Sequence, residues 1–189
     1  MPVLPKEPSL WPEDLLSADF AINTEFETEE IFWWALHTRP RAEKTLARQL
    51  QGLDIYFYLP LYKKRRRLQH RWVISHLPLF PSYLFLRGPE DDRLAALRTN
   101  LVVSCLEIHE QERFIDDLSH VYELVESGLP VSPEEKLKPG SRAEIVCGPL
   151  TGFQGEIIRR GNSTKLVCEV HFLQRGASVE VDASMVRPL

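Results

Sequence analysis

Hydrophobic side chains occupy every position but one between Pro78 and Leu86, in the segment PLFPSYLFL. Successive side chains of a β-strand point to opposite faces, so a strand that is covered on one side alternates apolar and polar residues. Aromatic and aliphatic residues stand here on both faces. The pattern therefore predicts a strand that packs on its own core with one face, while the protein itself or a partner covers the other.

The rest of the first 128 residues combines apolar strand-like segments with amphipathic helices. IFWWALHT, from Ile31 to Thr38, has no breaker and predicts a buried strand. A helix is predicted from about Arg41 to Gln51, because Ala42, Leu46 and Leu50 share one face and Gly52 ends the pattern. Further strands are predicted at 55–62, 71–76, 82–87 and 101–108, and further helices after Gly88 and across 114–128.

The composition changes after residue 128. Three prolines between residues 129 and 139 predict a linker. Short alternating segments separated by glycine turns follow, and they predict a small five-stranded β-barrel over residues 140–189. A barrel of about fifty residues is near the lower limit for an independent hydrophobic core.

The net charge of −4 is unevenly distributed along the 189 residues. Residues 1–30 contain eight acids and one base, which leaves the remainder of the chain basic. Four prolines and no sustained period predict that this acidic extension is disordered. One alternative is an acidic shield that covers the basic segment when no polyanion is bound. The other is a short docking helix built on Leu10, Trp11, Leu15, Leu16 and Phe20.

Several function classes are disfavoured by the sequence. No apolar run is long enough to span a membrane and no signal peptide is present, so we expect a cytoplasmic protein. Cys105, Cys147 and Cys168 lie far apart without a CxxC pair and are expected to be buried apolar residues. The six histidines lack the spacing of metal ligands, and the paired carboxylates fall on predicted helix surfaces. We therefore expect no enzymatic activity, metal or cofactor.

A dense basic segment begins after the second predicted strand. It carries six cations and no acid before His76: Lys63, Lys64, Arg65, Arg66, Arg67 and Arg71. Tyr62 and Trp72 flank the cations, a mixture suited to phosphate neutralisation with base stacking. A second basic set on and before the first helix extends the surface: Arg39, Arg41, Lys44 and Arg48. The alternative is a hairpin tip that is kept soluble by its charge.

Four features in this order carry a resemblance to a known family: the WWAL strand, the basic segment, PLFPSYLF, and GPLTGFQGEI. Over Ile31 to Leu189 the chain resembles the NusG family of transcription elongation factors. The resemblance implies an α+β fold. An NGN domain with a mixed or antiparallel sheet spans 31–128, and an SH3-like KOW β-barrel spans 140–189. Ser82 stands where the family most often has glycine, which suggests a specialised RfaH-like paralog.

The resemblance also implies a function, namely elongation and antitermination by suppressing pauses with the clamp held closed. In the family, an aromatic cavity receives the clamp helices of the largest RNA polymerase subunit. The matching residues here are His37, Phe80, Pro81, Tyr83 and Phe85. Tyr83 and Phe85 share one strand face, and Leu84 and Leu86 point to the core. The alternative is that these aromatics are core residues covered by the helix at 114–125.

The remaining partners are also implied by the resemblance. The basic residues would face upstream or non-template DNA, with little sequence choice. The KOW domain would contact a small-subunit ribosomal protein or Rho through Phe153 as an exposed anchor, while Ile157 and Phe172 belong to the core. The β-branched alternation favours a stable barrel over a helical refolding of this domain. Two alternative functions are a KOW-type RNA-binding or ribosome-associated protein, and a DNA-binding module that is independent of polymerase.

Overall fold

A computed structural model describes residues 7–16, 30–68, 71–134, 140–160, 163–173 and 175–189. Contacts divide the chain into two compact units. The first unit contains Met1–Leu61 and Phe80–Gln111, and the second contains Tyr62–Leu79 and Glu112–Leu189. This division differs from the predicted domains at 31–128 and 140–189, because the basic segment and the last helix fall in the second unit.

The described residues form three α-helices: α1 (Glu43–Gly52), α2 (Glu90–Arg98) and α3 (Gln111–Glu126). The strands of the first unit are β1 (Leu10–Trp11), β2 (Phe32–Thr38), β3 (Tyr56–Tyr58), β6 (Tyr83–Gly88) and β7 (Val102–Glu107). Strands β4 (Leu61–Leu68) and β5 (Arg71–Pro78) form a hairpin. The C-terminal strands are β8 (Val131–Glu134), β9 (Ser141–Ile145), β10 (Gln154–Arg160), β11 (Ser163–Val170), β12 (Arg175–Val181) and β13 (Val186–Pro188).

The first unit is a five-stranded antiparallel sheet in the order β1-β3-β6-β2-β7, with helices packed against it. The apolar stripe of α1, with Leu46 and Leu50, joins one core cluster with Leu84 and Leu86 of β6. The predicted α+β fold class is confirmed, as is the amphipathic first helix.

The segment 55–62 was predicted as one strand and forms two. Tyr56–Tyr58 is β3 of the five-stranded sheet, and the chain re-enters a strand at Leu61 in the separate two-stranded sheet β4-β5. Pro60 separates them, since a proline has no N–H to donate to a ladder. The basic segment is thereby carried on a hairpin of its own.

Part of the acidic extension is ordered, which corrects the prediction for residues 1–30. Residues 7–16 contain β1, which pairs with β3 through Leu10 opposite Tyr58 and Trp11 opposite Phe57. Leu15 is buried. The segment docks as a strand rather than as the helix that we considered, because β3 offers an edge with free backbone groups. Residues 1–6 and 17–29 of the extension lie outside the described residues.

The C-terminal sheet has the order β13-β9-β10-β11-β12-β8, with antiparallel pairing throughout. This confirms a small β domain. Strand β8 lies within the predicted linker at 129–139, which is a correction. The carboxylate of Glu134 is buried and accepts hydrogen bonds from Ser178 Oγ at 2.8 Å and Lys165 Nζ at 3.2 Å. Residues 135–139 of that predicted linker lie outside the described part of the chain.

Two expectations from composition have different outcomes. Across the described ranges, no helix combines the length and apolar character needed to cross a membrane. The cysteines depart from the expected burial, because Cys105 is half-buried and Cys147 is exposed. The side chain of Cys168 lies outside the described residues.

Candidate functional site

Strand β6 divides its side chains between two environments. Leu84 and Leu86 belong to the core cluster beneath α1, as predicted. Tyr83 and Phe85 point to the opposite face, since neighbours in a strand alternate. Tyr83 is paired in register with His37 of β2. The face that was predicted to receive a partner is therefore built on the two central strands of the sheet.

The largest aromatic side chains of that face are buried. Phe80 and Phe85 are 1% and 0% exposed, and their rings meet edge to face at 5.9 Å. This corrects the expectation that both rings line an open cavity. Burial of an aromatic ring removes roughly 150–250 Å² of surface from water, so both rings contribute to the stability of the fold.

Three predicted residues remain at the surface, and we call them the aromatic surface: His37, Pro81 and Tyr83. Pro81 is exposed, and His37 and Tyr83 are half-buried. The His37 and Tyr83 rings lie 5.3 Å apart in a tilted arrangement. Two adjacent rings held on neighbouring paired strands offer apolar area with little conformational freedom to lose on binding.

The turn before β6 is held by backbone and side-chain hydrogen bonds. Ser82 has φ of +66°, in the left-handed region that glycine adopts without strain. Its N–H donates to Glu43 Oε1 at 2.8 Å, and its carbonyl accepts from Thr38 N at 2.8 Å. These bonds join the turn to α1 and β2, and they fix the position from which Tyr83 projects.

Glu43 is a positioning residue that the sequence reasoning missed. It lies in the first turn of α1, yet its side chain is buried together with Leu46, Ala47 and Leu50. The signal in the sequence was an acidic residue on the apolar face of α1, because positions 43, 46, 47 and 50 share one face of the helix. A charged residue at such a position requires a specific partner, which here is the backbone of Ser82.

Replacing Ser82 with glycine is expected to raise the free energy of unfolding by about 0.5–1 kcal/mol, because relief of left-handed strain exceeds the entropy cost of glycine. Glu43→Ala is expected to lower it by about 1–3 kcal/mol, since the Ser82 N–H loses its acceptor. Urea unfolding of both variants measures the difference. Ser82→Ala is the control and should leave stability near that of wild type, and equal effects of Gly and Ala would contradict the strain.

A second polar cluster in the first unit surrounds Arg93. Arg93 lies 5.2 Å from the Trp34 ring centroid and pairs with Glu90, whose pKa is lowered by this hydrogen bond. Burial raises the pKa of the Cys105 thiol, which therefore stays protonated and unreactive at neutral pH. Within the described residues, no group of three or more His, Cys, Asp and Glu side chains could hold a metal ion.

The hairpin β4-β5 presents the predicted cations, and we call it the basic hairpin. Lys63, Lys64, Arg65 and Arg67 are exposed, whereas the side chains of Arg66 and Arg71 lie outside the described residues. Trp72 is 59% exposed, and the Arg65 guanidinium carbon lies 4.4 Å from its ring centroid. Ile74, two residues along the strand, is 62% exposed. Exposed apolar side chains thus stand beside cations on this hairpin.

The second basic set belongs to the first unit, at the start of α1 and on its outer side. Arg39, Arg41 and Arg48 are exposed and Lys44 is half-buried. Arg48 forms an ion pair with Glu7 at 3.1 Å. One acid of the N-terminal extension, Glu7, therefore contacts this basic set.

In the C-terminal unit, two side chains have the opposite exposure to that predicted. Phe153, expected to be an exposed anchor, is 6% exposed, and its ring lies 5.4 Å from that of His120 on α3. Phe172, expected in the core, is 40% exposed and packs edge to face on Phe114 of α3. Ile157, also expected in the core, is half-buried. Contact with α3 accounts for the burial of Phe153, and the pattern of the β segments alone does not reveal this contact.

A buried carboxylate fixes α3 to the β domain. Asp117 Oδ2 accepts from the His171 backbone N–H at 2.9 Å, and Asp117 Oδ1 lies 3.0 Å from His171 Nδ1. An open groove of about 770 Å³ runs between α3 and the 149–154 loop, with Phe153, Glu123 and Arg142 in its wall. Phe153 thus lines this groove although little of its side chain is exposed.

Comparison with known proteins identifies a family that matches this chain. No curated protein matches the chain. A structure described as "Domain interaction in Thermotoga maritima NusG" is 17% identical with a TM-score of 0.49, and the match covers 85% of this chain and 98% of that one. One described as "Crystal Structure of MjSpt4:Spt5 complex conformation B" is 14% identical with a TM-score of 0.30, covering 84% and 97%.

The family model described as "Transcription termination factor nusG" matches residues 32–138. The match includes β2, the basic hairpin, the aromatic surface and α3, so it spans more than half of the 189 residues. The chain therefore belongs to the NusG family.

Proposed function

We propose that this protein is a transcription elongation and antitermination factor that binds the clamp helices of the largest RNA polymerase subunit through the aromatic surface. The observation that carries the proposal is the His37–Tyr83 pair, with ring centroids 5.3 Å apart on the central strands β2 and β6. Binding at this site would hold the clamp closed and suppress pausing.

The rigidity of the aromatic surface supports recognition of a helix. An amphipathic helix binds a groove through a few apolar anchors, and preformed anchors reduce the entropy cost of binding. The Glu43 carboxylate accepts a hydrogen bond from Ser82 N in the turn, and Tyr83 N donates to Phe80 O at 3.1 Å. The buried Phe80–Phe85 pair would support the surface from inside rather than contact the partner.

Polymerase association gives the direct test. Tagged full-length chain is incubated with purified RNA polymerase, and retention is compared between wild type and Tyr83→Ala. The proposal expects retention by wild type and its loss in the variant. A chain that binds RNA or ribosomes while it ignores polymerase would instead support the KOW-type RNA-binding alternative.

We further propose that the basic hairpin contacts upstream or non-template DNA by electrostatic attraction, with little sequence preference. The exposed cations Lys63, Lys64, Arg65 and Arg67 are the basis. Neutralisation of phosphates releases counterions and makes binding strongly salt-dependent. The basic set Arg39, Arg41, Lys44 and Arg48 would add to this interaction.

Trp72→Ala is expected to weaken binding of single-stranded DNA roughly tenfold, because stacking of one base on an aromatic ring contributes about 1–3 kcal/mol. Binding of duplex DNA, whose bases are already stacked, should change less. Fluorescence anisotropy with both substrates measures the ratio. Trp72→Phe, which keeps an aromatic face, is the matched control, and equal losses on both substrates would contradict base stacking.

The C-terminal β domain is proposed to recruit a second machine, either through a small-subunit ribosomal protein or through Rho. The groove beside Phe153 and Glu123 supports a protein partner, because apolar and charged side chains together line it, as in many protein interfaces. The family also supports a non-enzymatic factor that acts with polymerase in the cytoplasm.

A further inference from the structure

Residues 7–16 precede the segment matched by the family model, and we call them the acidic strap. Their backbone completes the edge of the first sheet: β1 pairs with β3, and Leu59 N donates to Ser9 O at 2.6 Å. The Trp11 ring packs on the core cluster, and its Nε1 donates to Asp54 Oδ1 at 3.0 Å. Leu15, at 4% exposed, anchors the other end.

The charged side chains of the acidic strap are all negative. It contains Glu7, Glu13 and Asp14 and no base. Both carboxylate oxygens of Glu7 accept from Arg48 Nη1 on α1, at 3.1 Å and 3.2 Å. The strap therefore places a carboxylate on the guanidinium of a residue proposed to bind phosphate.

The two kinds of contact differ in strength. Strand pairing and the burial of Leu15 and Trp11 stabilise the docked segment through groups removed from water. The Arg48–Glu7 pair has side chains that are 55% and 27% exposed, and such pairs contribute only about 0–1 kcal/mol. A phosphate can form the same charge-assisted bond with Arg48. The ion pair can thus exchange partners while the anchors stay in place.

We propose that the acidic strap is an intramolecular competitor for nucleic acid. Glu7 occupies Arg48 in the free protein and releases it to a phosphate of single-stranded nucleic acid. This inference rests on the nucleic-acid contact of the proposed function. The competition lowers affinity for nucleic acid that is encountered without polymerase, because each such encounter must first displace the carboxylate.

The test uses full-length protein and an oligonucleotide of single-stranded DNA, titrated over a range of salt concentrations. Glu7→Gln is expected to tighten binding about two- to fivefold at low salt, and this gain should shrink as salt rises, because screening weakens the Arg48–Glu7 pair that DNA must displace. In the Arg48→Gln background, Glu7→Gln should have no effect.

Glu13→Gln is the matched control, because it removes the same charge from an exposed acid of the same strap. A smaller gain than that of Glu7→Gln supports the proposal. Equal gains in the two variants, or a Glu7→Gln gain that persists without Arg48, would overturn it. If no variant binds DNA, the nucleic-acid contact itself fails; if all bind and Glu7→Gln matches wild type, only the strap proposal fails.

Amide hydrogen exchange distinguishes two events on DNA binding. In the first, Glu7 gives up Arg48 while the acidic strap stays docked, and in the second, the whole strap is released. The Leu59 N–H donates to Ser9 O, so its protection reports strand pairing. We expect protection to persist in the DNA complex while Glu7 gives up Arg48. Loss of protection at Leu59 on DNA binding would contradict a docked strap.

Discussion

Tyr83→Ala is expected to weaken association with RNA polymerase by about thirtyfold or more. Truncation of an aromatic anchor at the centre of an interface typically costs at least about 2 kcal/mol, and 1.4 kcal/mol corresponds to a factor of ten. Tyr83 is half-buried and its ring lies 5.3 Å from that of His37, so truncation also removes this ring contact. Surface plasmon resonance with immobilised polymerase measures the change.

Two controls make the result specific. Leu53→Ala truncates a side chain that is 56% exposed beyond the C-terminal end of α1, and should leave binding unchanged. Circular dichroism and urea unfolding of Tyr83→Ala show whether the variant is folded. Binding of folded Tyr83→Ala with wild-type affinity would contradict the assignment of the aromatic surface to polymerase.

Replacement of Lys63 to Arg67 by five alanines is expected to lower affinity for single-stranded DNA by on the order of a thousandfold at 0.1 M salt. Each lost phosphate contact reduces the slope of log K against log salt by about 0.7. Anisotropy titrations over a range of salt concentrations measure both quantities. A wild-type affinity that does not change with salt would contradict electrostatic binding outright.

A matched pair of double variants tests whether the position of the charge matters. Lys63→Ala with Lys64→Ala removes two charges from the basic hairpin, and Arg98→Ala with Arg142→Ala removes two exposed charges elsewhere. The first should reduce the slope by about 1.4 and the second by less than half of that. Equal reductions would show that net charge, rather than the hairpin, determines binding.

The local sequence pattern was sufficient to predict those helices and strands whose conformation depends mainly on their own residues. The breaker-free segment IFWWALHT predicted β2, and the stripe of Leu46 and Leu50 predicted α1. The stripe through Phe114, Leu118 and Val121 predicted α3, where all three are buried. Hydrogen bonding and side-chain periodicity within a segment fix these features, so distant residues are not needed to infer them.

Pattern was insufficient where burial depends on a neighbour that is remote in sequence. Phe153 was predicted to be exposed and Phe172 to be in the core, yet Phe153 is 6% exposed against His120 of α3 and Phe172 is 40% exposed. The acidic extension has no hydrophobic periodicity from which β1 could be predicted. A two-residue strand is too short to show one, and β1 takes its structure from pairing with the edge of β3.

The sequence by itself determined the order of the three helices, the α+β class, the family resemblance and the location of the basic segment. Only the tertiary structure decided that Phe80 and Phe85 are buried while His37 and Tyr83 remain at the surface, and that Glu43 holds Ser82. The physical reason is that periodicity reveals which face of a strand is apolar. What covers that face depends on contacts between segments far apart in the chain.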